Sequence, residues 1–164
     1  TYGAQNVGAS RYDRLNKGIY SASLMGFGYS LLAFGVAWFF GRSLTGLFVS
    51  GGSSAQLVEL AQTYMITNVL AYPLLTLVNV VRFMIQGMGF SMFAILAGVM
   101  EMAARSLAGM FLVPALGYFG AALGSPLAWV AADLFLVPAY FRCRRVLMSQ
   151  SHHLHVMGES VESN

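Results

Sequence analysis

Residues 90–141 read FSMFAILAGVMEMAARSLAGMFLVPALGYFGAALGSPLAWVAADLFLVPAYF, and this stretch decides the fold. It consists of two apolar runs joined by a glycine-containing turn at residues 116–120. An apolar helix needs about 20 residues to cross a bilayer, and each run is that long. The stretch also contains three charged residues, Glu101, Arg105 and Asp133. Since a charge at the centre of such a helix costs about 2.5–3.5 kcal/mol, all three are expected to face protein or a water-filled path.

The composition of the whole chain is typical of a polytopic membrane protein. Of its 164 residues, 57% are hydrophobic and only 9% are charged, whereas soluble domains have about 25% charged residues. The lipid bilayer is therefore the first predicted partner. The basic residues are few and lie beside the apolar runs, so a nucleic-acid partner is not expected. The sequence has no catalytic triad, phosphate loop or metal motif, and we predict that the protein is not an enzyme.

The hydropathy pattern predicts an all-α integral membrane protein with four transmembrane helices. The spans are expected at about 18–40, 57–82, 90–113 and 119–141. Residues 1–17 are expected to contain the end of a helix and a cytoplasmic loop, and residues 142–164 a cytoplasmic tail. The loop 41–56 is expected to turn at residues 51–54. Pro73 lies within the second span and is expected to kink it, because proline removes a helical hydrogen bond.

The distribution of Lys and Arg predicts the orientation of these spans. If residues 1–17 are cytoplasmic, seven basic residues fall on that side and only Arg42 falls on the other. The seven are Arg11, Arg14, Lys17, Arg82, Arg142, Arg144 and Arg145. This positive-inside bias predicts a multi-pass protein of the plasma or inner membrane with both ends of the chain in the cytoplasm.

The charges within the spans allow two interpretations each. Glu101 and Arg105 are four residues apart, so their side chains can meet on one face of a helix. Such a pair either shapes a transport cavity and responds to protonation, or ties its helix to the neighbouring helices. Arginine keeps its charge in proteins, so Glu101 is the member expected to change state. Asp133 is the one charge in its span, where it either carries a proton or cation or is held by a neighbouring helix.

A polar stripe runs along the second span. Polar residues recur there at spacings near one helical face, and they are Tyr64, Asn68, Tyr72, Asn79 and Arg82, of which the first four form the stripe. Aromatic faces and amide oxygens suit organic cations, so the stripe is a candidate transport path. Polar side chains also join membrane helices, and this alternative remains open. Three histidines near the end of the chain have no Asp, Glu or Cys ligands beside them, so no metal site is predicted there; they are His152, His153 and His155.

Four segments together resemble the multidrug and toxic compound extrusion (MATE) transporters. Residues 5–14 are similar to the family's Q-N-x-G-A-x-x-x-x-R loop, and residues 82–89 to its R-x-x-x-Q-G-x-G junction. Residues 101–105 resemble its E-x-x-x-R helix. Residues 114–129 resemble the segment that joins its last two helices. Each motif is weak alone, and the resemblance depends on their order and spacing.

The resemblance implies a transporter of twelve helices in two lobes. This chain is expected to run from the end of helix 8 to helix 12, with the N-terminal lobe of the same protein as its partner. The implied function is an antiporter that exports amphipathic cationic drugs or toxins in exchange for H⁺ or Na⁺, without a cofactor. Some branches of the family have a cation-binding carboxylate in helix 10. Here that span has only Glu59, at its outer end. Coupling to H⁺ through the first lobe is therefore expected rather than coupling to Na⁺, with Glu101 or Asp133 as secondary candidates.

Two alternatives differ in function. One is a lipid-linked oligosaccharide flippase of the same superfamily, whose cavity is expected to be rich in arginine. Only Arg105 is expected within the membrane here, and this favours the antiporter. The other is a four-helix membrane module that does not transport. The motifs at both ends of the chain favour a transporter over such a module.

Overall fold

The computed structural model describes residues 1–47 and 54–162, and these residues are almost entirely helical. The helices are α1 (Tyr2–Gly8), α2 (Arg14–Gly46), α3 (Ser54–Leu70), α4 (Tyr72–Gly87), α5 (Ser91–Leu107), α6 (Val113–Leu116) and α7 (Tyr118–Glu162). A π-helical segment, Ala108–Leu112, joins α5 to α6. The turn predicted at residues 51–54 lies outside the described residues, except that Ser54 begins α3.

The described helices include three that are long and apolar enough to cross a membrane, namely Arg14–Gly46, Ser91–Leu116 and Tyr118–Gln150. The helices α3 and α4 form a fourth span if the bent pair is counted as one. The all-α fold with four candidate spans therefore agrees with the sequence. The span predicted at residues 18–40 is longer at both ends.

The predicted kink in the second span is confirmed. The axes of Ala55–Leu70 and Tyr72–Gly87 meet at 48°. Pro73 lies at the start of α4, where its missing N–H removes no helical bond of α4 itself. Ala71 has left the helical conformation, with φ −91° and ψ 1°. The break therefore divides the second span into two helices that can pack independently.

Two glycines with positive φ end helices. Gly89 has φ +92° between α4 and α5, and Gly117 has φ +59° between α6 and α7. A side chain would be strained in either conformation, so glycine is required at both turns. The turn predicted at residues 116–120 is shorter than expected, because α7 already begins at Tyr118.

The helix that contains the fourth span does not end at residue 141, where the span is predicted to end. The helix α7 continues through the predicted tail to Glu162. Residues 142–157 contain neither glycine nor proline, so nothing in the local sequence ends the helix there. Pro126 and Pro138 both lie inside α7.

The core lies where α4, α5 and α7 pack together, with α2 against α3 and α4. Alanines are fully buried where the helices approach most closely, as at Ala97 of α5 and Ala132 of α7. Small side chains allow such approach between membrane helices. Larger buried residues fill the remaining space, namely Leu15, Val78, Ile85 and Leu136. The outer faces carry many exposed large apolar side chains, such as Phe39 and Leu134, as expected for contact with lipid.

Candidate functional site

Glu101 lies at the interface of α4 and α5 between two arginines. Arg82 of α4 donates from Nη2 to Oε1 of Glu101. Arg105 of α5 donates from Nη2 to Oε2 of Glu101 at 3.2 Å. Both carboxylate oxygens therefore accept a charge-assisted hydrogen bond.

The two arginines differ in burial. The side chain of Arg82 is 21% exposed and that of Arg105 is 46% exposed, while Glu101 is 11% exposed. The predicted pair of Glu101 with Arg105 exists, but the more buried partner of Glu101 is Arg82. An ion pair gains more where water is excluded, so the Arg82 contact is the stronger of the two.

Arg82 is a site residue that the sequence analysis missed. The second span was expected to end at residue 82 and to leave this arginine among the loop cations. The helix α4 continues to Gly87, so Arg82 lies inside it and faces α5. The signal was present in the R-x-x-x-Q-G-x-G motif, but a motif on one helix does not show which residue it faces on another helix.

Asp133 lies on α7, where it is only 7% exposed. Within the described residues neither of its carboxylate oxygens has a hydrogen-bond partner. The predicted alternative of a partner bond from a neighbouring helix is therefore not observed among these residues. The helix α7 packs against α4 and α5, which carry Arg82, Glu101 and Arg105. We call these four residues the charge cluster (Arg82, Glu101, Arg105, Asp133).

The polar stripe of the second span does not continue along one helix, because the break at Ala71 divides it. Asn68 donates from Nδ2 to the carbonyl oxygen of Tyr64 at 2.9 Å. Asn79 makes the same bond to the carbonyl oxygen of Leu75 at 2.9 Å. Each amide thus bonds to its own helix, four residues earlier. These contacts favour a structural interpretation of the asparagines over a continuous path.

Tyr64 and Tyr72 of the stripe also lie on different helices. Tyr64 on α3 is largely exposed. Tyr72 on α4 packs its ring edge against Trp129 of α7, with ring centroids 6.2 Å apart. Only Tyr72 therefore belongs to the interface between α4 and α7.

An aromatic groove, which sequence spacing could not show, lies between α2, α4 and α7. Its volume is about 320 Å³, and four of its lining residues are aromatic: Tyr20, Phe27, Tyr140 and Phe141. Polar atoms lie at one side, where Tyr140 donates from its hydroxyl to Oδ1 of Asn16 at 2.7 Å. The buried hydroxyl of Ser23 also lines the groove and has no partner within the described residues. The groove combines aromatic faces with few polar groups, which suits an amphipathic ligand.

No group of three or more His, Cys, Asp or Glu residues that could hold a metal ion occurs in the described part of the chain. The side chains of the three tail histidines, at positions 152, 153 and 155, lie outside the described residues.

A comparison with protein families matches residues 1–102 to the MatE family. The match includes the loop motif of residues 5–14, the junction motif of residues 82–89 and Glu101. No curated protein and no solved structure matches the chain.

Proposed function

This chain belongs to the MatE family and is a multi-pass membrane transporter of that superfamily, and from this we propose that it works in an antiporter. In this proposal amphipathic organic cations leave the cell while H⁺ enters. The two directions are coupled by alternating access, in which this lobe moves against an N-terminal lobe of the same protein. The membrane is the plasma or inner membrane, and both ends of the chain face the cytoplasm.

The observation that carries the proposal is the charge cluster among apolar helices. Ionisable residues within a membrane are costly, and they commonly mark ion paths and proton relays. The cluster has members on α4, α5 and α7, which pack together in the core of this lobe, and its ion pair joins α4 to α5. A change of charge there acts on three helices at once, as coupling to a conformational change requires.

The arrangement of the cluster supports H⁺ over Na⁺ as the coupling ion. Both oxygens of Glu101 already bind guanidinium groups. A sodium ion near Asp133 would be repelled by Arg82, whose charge acts on the same carboxylate. A proton binds to one carboxylate oxygen and needs no ring of further oxygen ligands.

The aromatic groove supports the substrate class. Aromatic rings attract organic cations by about 0.5–2 kcal/mol, depending on how far water is excluded. The groove offers such rings from two helices that the chain places far apart in sequence, α2 and α7. We therefore propose the groove as the substrate path in place of the predicted stripe.

The flippase alternative gains little from the structure. A cavity for a lipid-linked pyrophosphate needs arginines that are free to bind phosphate. Arg82 is a second arginine within the helices, beyond the one expected, but both Arg82 and Arg105 bind Glu101. Their charge is partly neutralised within the cluster.

Transport in proteoliposomes tests the proposed antiport. The intact transporter is reconstituted, and ethidium movement is followed by fluorescence under an imposed pH gradient or an imposed Na⁺ gradient. We expect movement against the ethidium gradient with the pH gradient alone. Movement that requires Na⁺ would contradict H⁺ coupling, and no movement with either gradient would contradict the antiport.

A pair of tyrosines on α2 tests the groove. Tyr20 lines the groove, whereas Tyr29 lies on the same helix and is exposed outside it. Tyr20→Leu should weaken ethidium binding by about 2- to 5-fold, which corresponds to the loss of one cation–aromatic contact at an exposed side chain. Tyr29→Leu is the matched control and should leave the affinity unchanged. Equal effects of the two substitutions would exclude the groove as the substrate site.

A further inference from the structure

Asp133 is buried in surroundings that strongly destabilise an ionised carboxylate. It is 93% removed from solvent, and neither oxygen has a hydrogen-bond partner among the described residues. A buried charge without a partner costs so much that the group takes up or releases a proton instead. These surroundings favour the neutral, protonated form of Asp133 over the ionised form.

Arg82 has a donor that is still free to bond. Its Nη2 bonds Glu101, but its Nε is buried and has no partner within the described part of the chain. The helix α4, which carries Arg82, packs against α7, which carries Asp133. The unpaired Nε donor of Arg82 on α4 and the two unpaired oxygens of Asp133 on α7 thus belong to the same cluster.

The other charged and titratable groups on the elements packed against α7 define the surroundings of Asp133. They are Glu59 and Tyr64 on α3, Tyr72 and Arg82 on α4, and Glu101 and Arg105 on α5. Of these, Arg82, Glu101 and Arg105 belong to the charge cluster.

We propose that Asp133 is a proton-binding site and that Arg82 exchanges partners, from Glu101 to Asp133, when the proton leaves. With Asp133 protonated, one carboxylate, Glu101, is shared by Arg82 and Arg105, as the structure shows. When Asp133 releases H⁺ to water, the four groups form two pairs. Arg82 then binds Asp133, and Arg105 keeps Glu101.

In this exchange, release of the proton changes which helices Arg82 connects. Arg82 joins α4 to α5 in the protonated state and to α7 in the ionised state. The break at Ala71 separates α4 from α3, so α4 can shift without carrying the whole second span. This inference rests on the proposed H⁺ antiport and names the residue that binds the proton.

Infrared difference spectroscopy tests the protonation directly. The intact transporter is purified in nanodiscs, and spectra are recorded between acidic and alkaline pH. A protonated carboxylic acid has a C=O stretching band that a carboxylate lacks. We expect such a band to disappear on alkalinisation and to be absent from Asp133→Asn. Glu59→Gln removes an exposed carboxylate on α3 and is the matched control, which should retain the band.

Arg82→Met tests the exchange of partners. Without Arg82, an ionised Asp133 has no cation to bind, so the acid band should persist at alkaline pH. The double variant Arg82→Met/Glu101→Leu makes the same test without an unpaired carboxylate at position 101, should the single variant fail to fold. A band that disappears in these variants as in the wild type would overturn the exchange. A band that remains in Asp133→Asn would overturn the proton site.

The spectra do not depend on transport, so the proposed antiport and the assignment of Asp133 as the proton site can be contradicted independently. A transporter driven by Na⁺ contradicts the proposed antiport even if the acid band is lost in Asp133→Asn. A transporter driven by H⁺ whose acid band is unchanged in Asp133→Asn retains its function and contradicts the assignment of Asp133.

Discussion

Replacing either arginine of the charge cluster by methionine measures which of them holds Glu101. Methionine keeps most of the length of the arginine stem and removes the charge. Removal of Arg82 leaves Glu101 with one partner, Arg105, which is 46% exposed. Breaking a buried ion pair by removing one partner costs about 3–5 kcal/mol, and we expect about 3 kcal/mol because Arg105 still compensates part of the charge. Removal of Arg105 should cost less than about 1 kcal/mol, as exposed pairs do.

Double-mutant cycles separate the pair energy from other effects of each substitution. Glu101→Leu is combined with Arg82→Met in one cycle and with Arg105→Met in the other. The coupling energy should be about 2–3 kcal/mol for Arg82, at the upper end of values for contacting residues. It should stay below about 1 kcal/mol for Arg105. Because apolar replacement of a whole buried pair is often neutral, the double variant with Arg82→Met should be more stable than either of its single variants.

The free energy of unfolding of the intact transporter, measured in mixed detergent micelles with increasing denaturing detergent, provides the assay. All variants are compared under one condition, so that differences between them do not depend on extrapolation. Coupling energies of equal size for the two arginines would refute the ranking by burial. A larger value for Arg105 would show that Glu101 bonds mainly within its own helix.

Two further predictions concern packing. An added Cβ at Gly120 would collide with the carbonyl oxygen of Leu112, which is backbone and cannot swing away; Gly120→Ala should destabilise the protein by about 1–3 kcal/mol. Gly124→Ala, in the same helix with open space around it, should stabilise by up to about 1 kcal/mol, and equal thermal shifts for the two variants would contradict the close approach. Cys143 is 1% exposed, so a maleimide should label it at least about tenfold more slowly than a cysteine placed at the exposed Ser149 in a Cys143→Ser background. Comparable labelling rates would show that this part of α7 is accessible.

The spans and the kink were predictable because their causes are local. Hydropathy over about 20 residues identifies a membrane helix whatever its neighbours are. Pro73 breaks the second span because proline has no backbone N–H to bond to the carbonyl four residues earlier, and this property does not depend on neighbouring helices. The family, too, follows from motifs within short segments, and the match over residues 1–102 confirms it.

Contacts between helices were not predictable, because they depend on how each helix is rotated. Glu101 and Arg105 share a helix, so their pair could be expected from a spacing of four residues. Arg82 is 19 residues from Glu101 along the chain, and their contact requires a particular packing of α4 on α5. The aromatic groove likewise combines residues near position 20 with residues near position 140. No periodicity within one helix contains that information.

The extent of α7 could not be predicted from hydropathy for a different reason. The change from apolar to polar residues after Phe141 predicts the end of the span and not the end of the helix. Polarity determines where a helix can contact lipid, whereas a helix ends where glycine, proline or a cap ends it. Residues 142–157 contain neither glycine nor proline, so α7 continues beyond the apolar segment.

The energies of the charge cluster are of the size that a proton gradient supplies. One proton that crosses a difference of about two pH units releases about 2.7 kcal/mol, since one unit corresponds to about 1.4 kcal/mol. The coupling energy expected between Arg82 and Glu101 is of similar size, about 2–3 kcal/mol. A contact much stronger than this would hold α4 against α5 in every state, and a much weaker one would transmit nothing to the helix. Because Arg105 remains on Glu101 when Arg82 leaves, the exchange never strands a buried carboxylate, and the net cost of moving Arg82 falls within the range that one proton can drive.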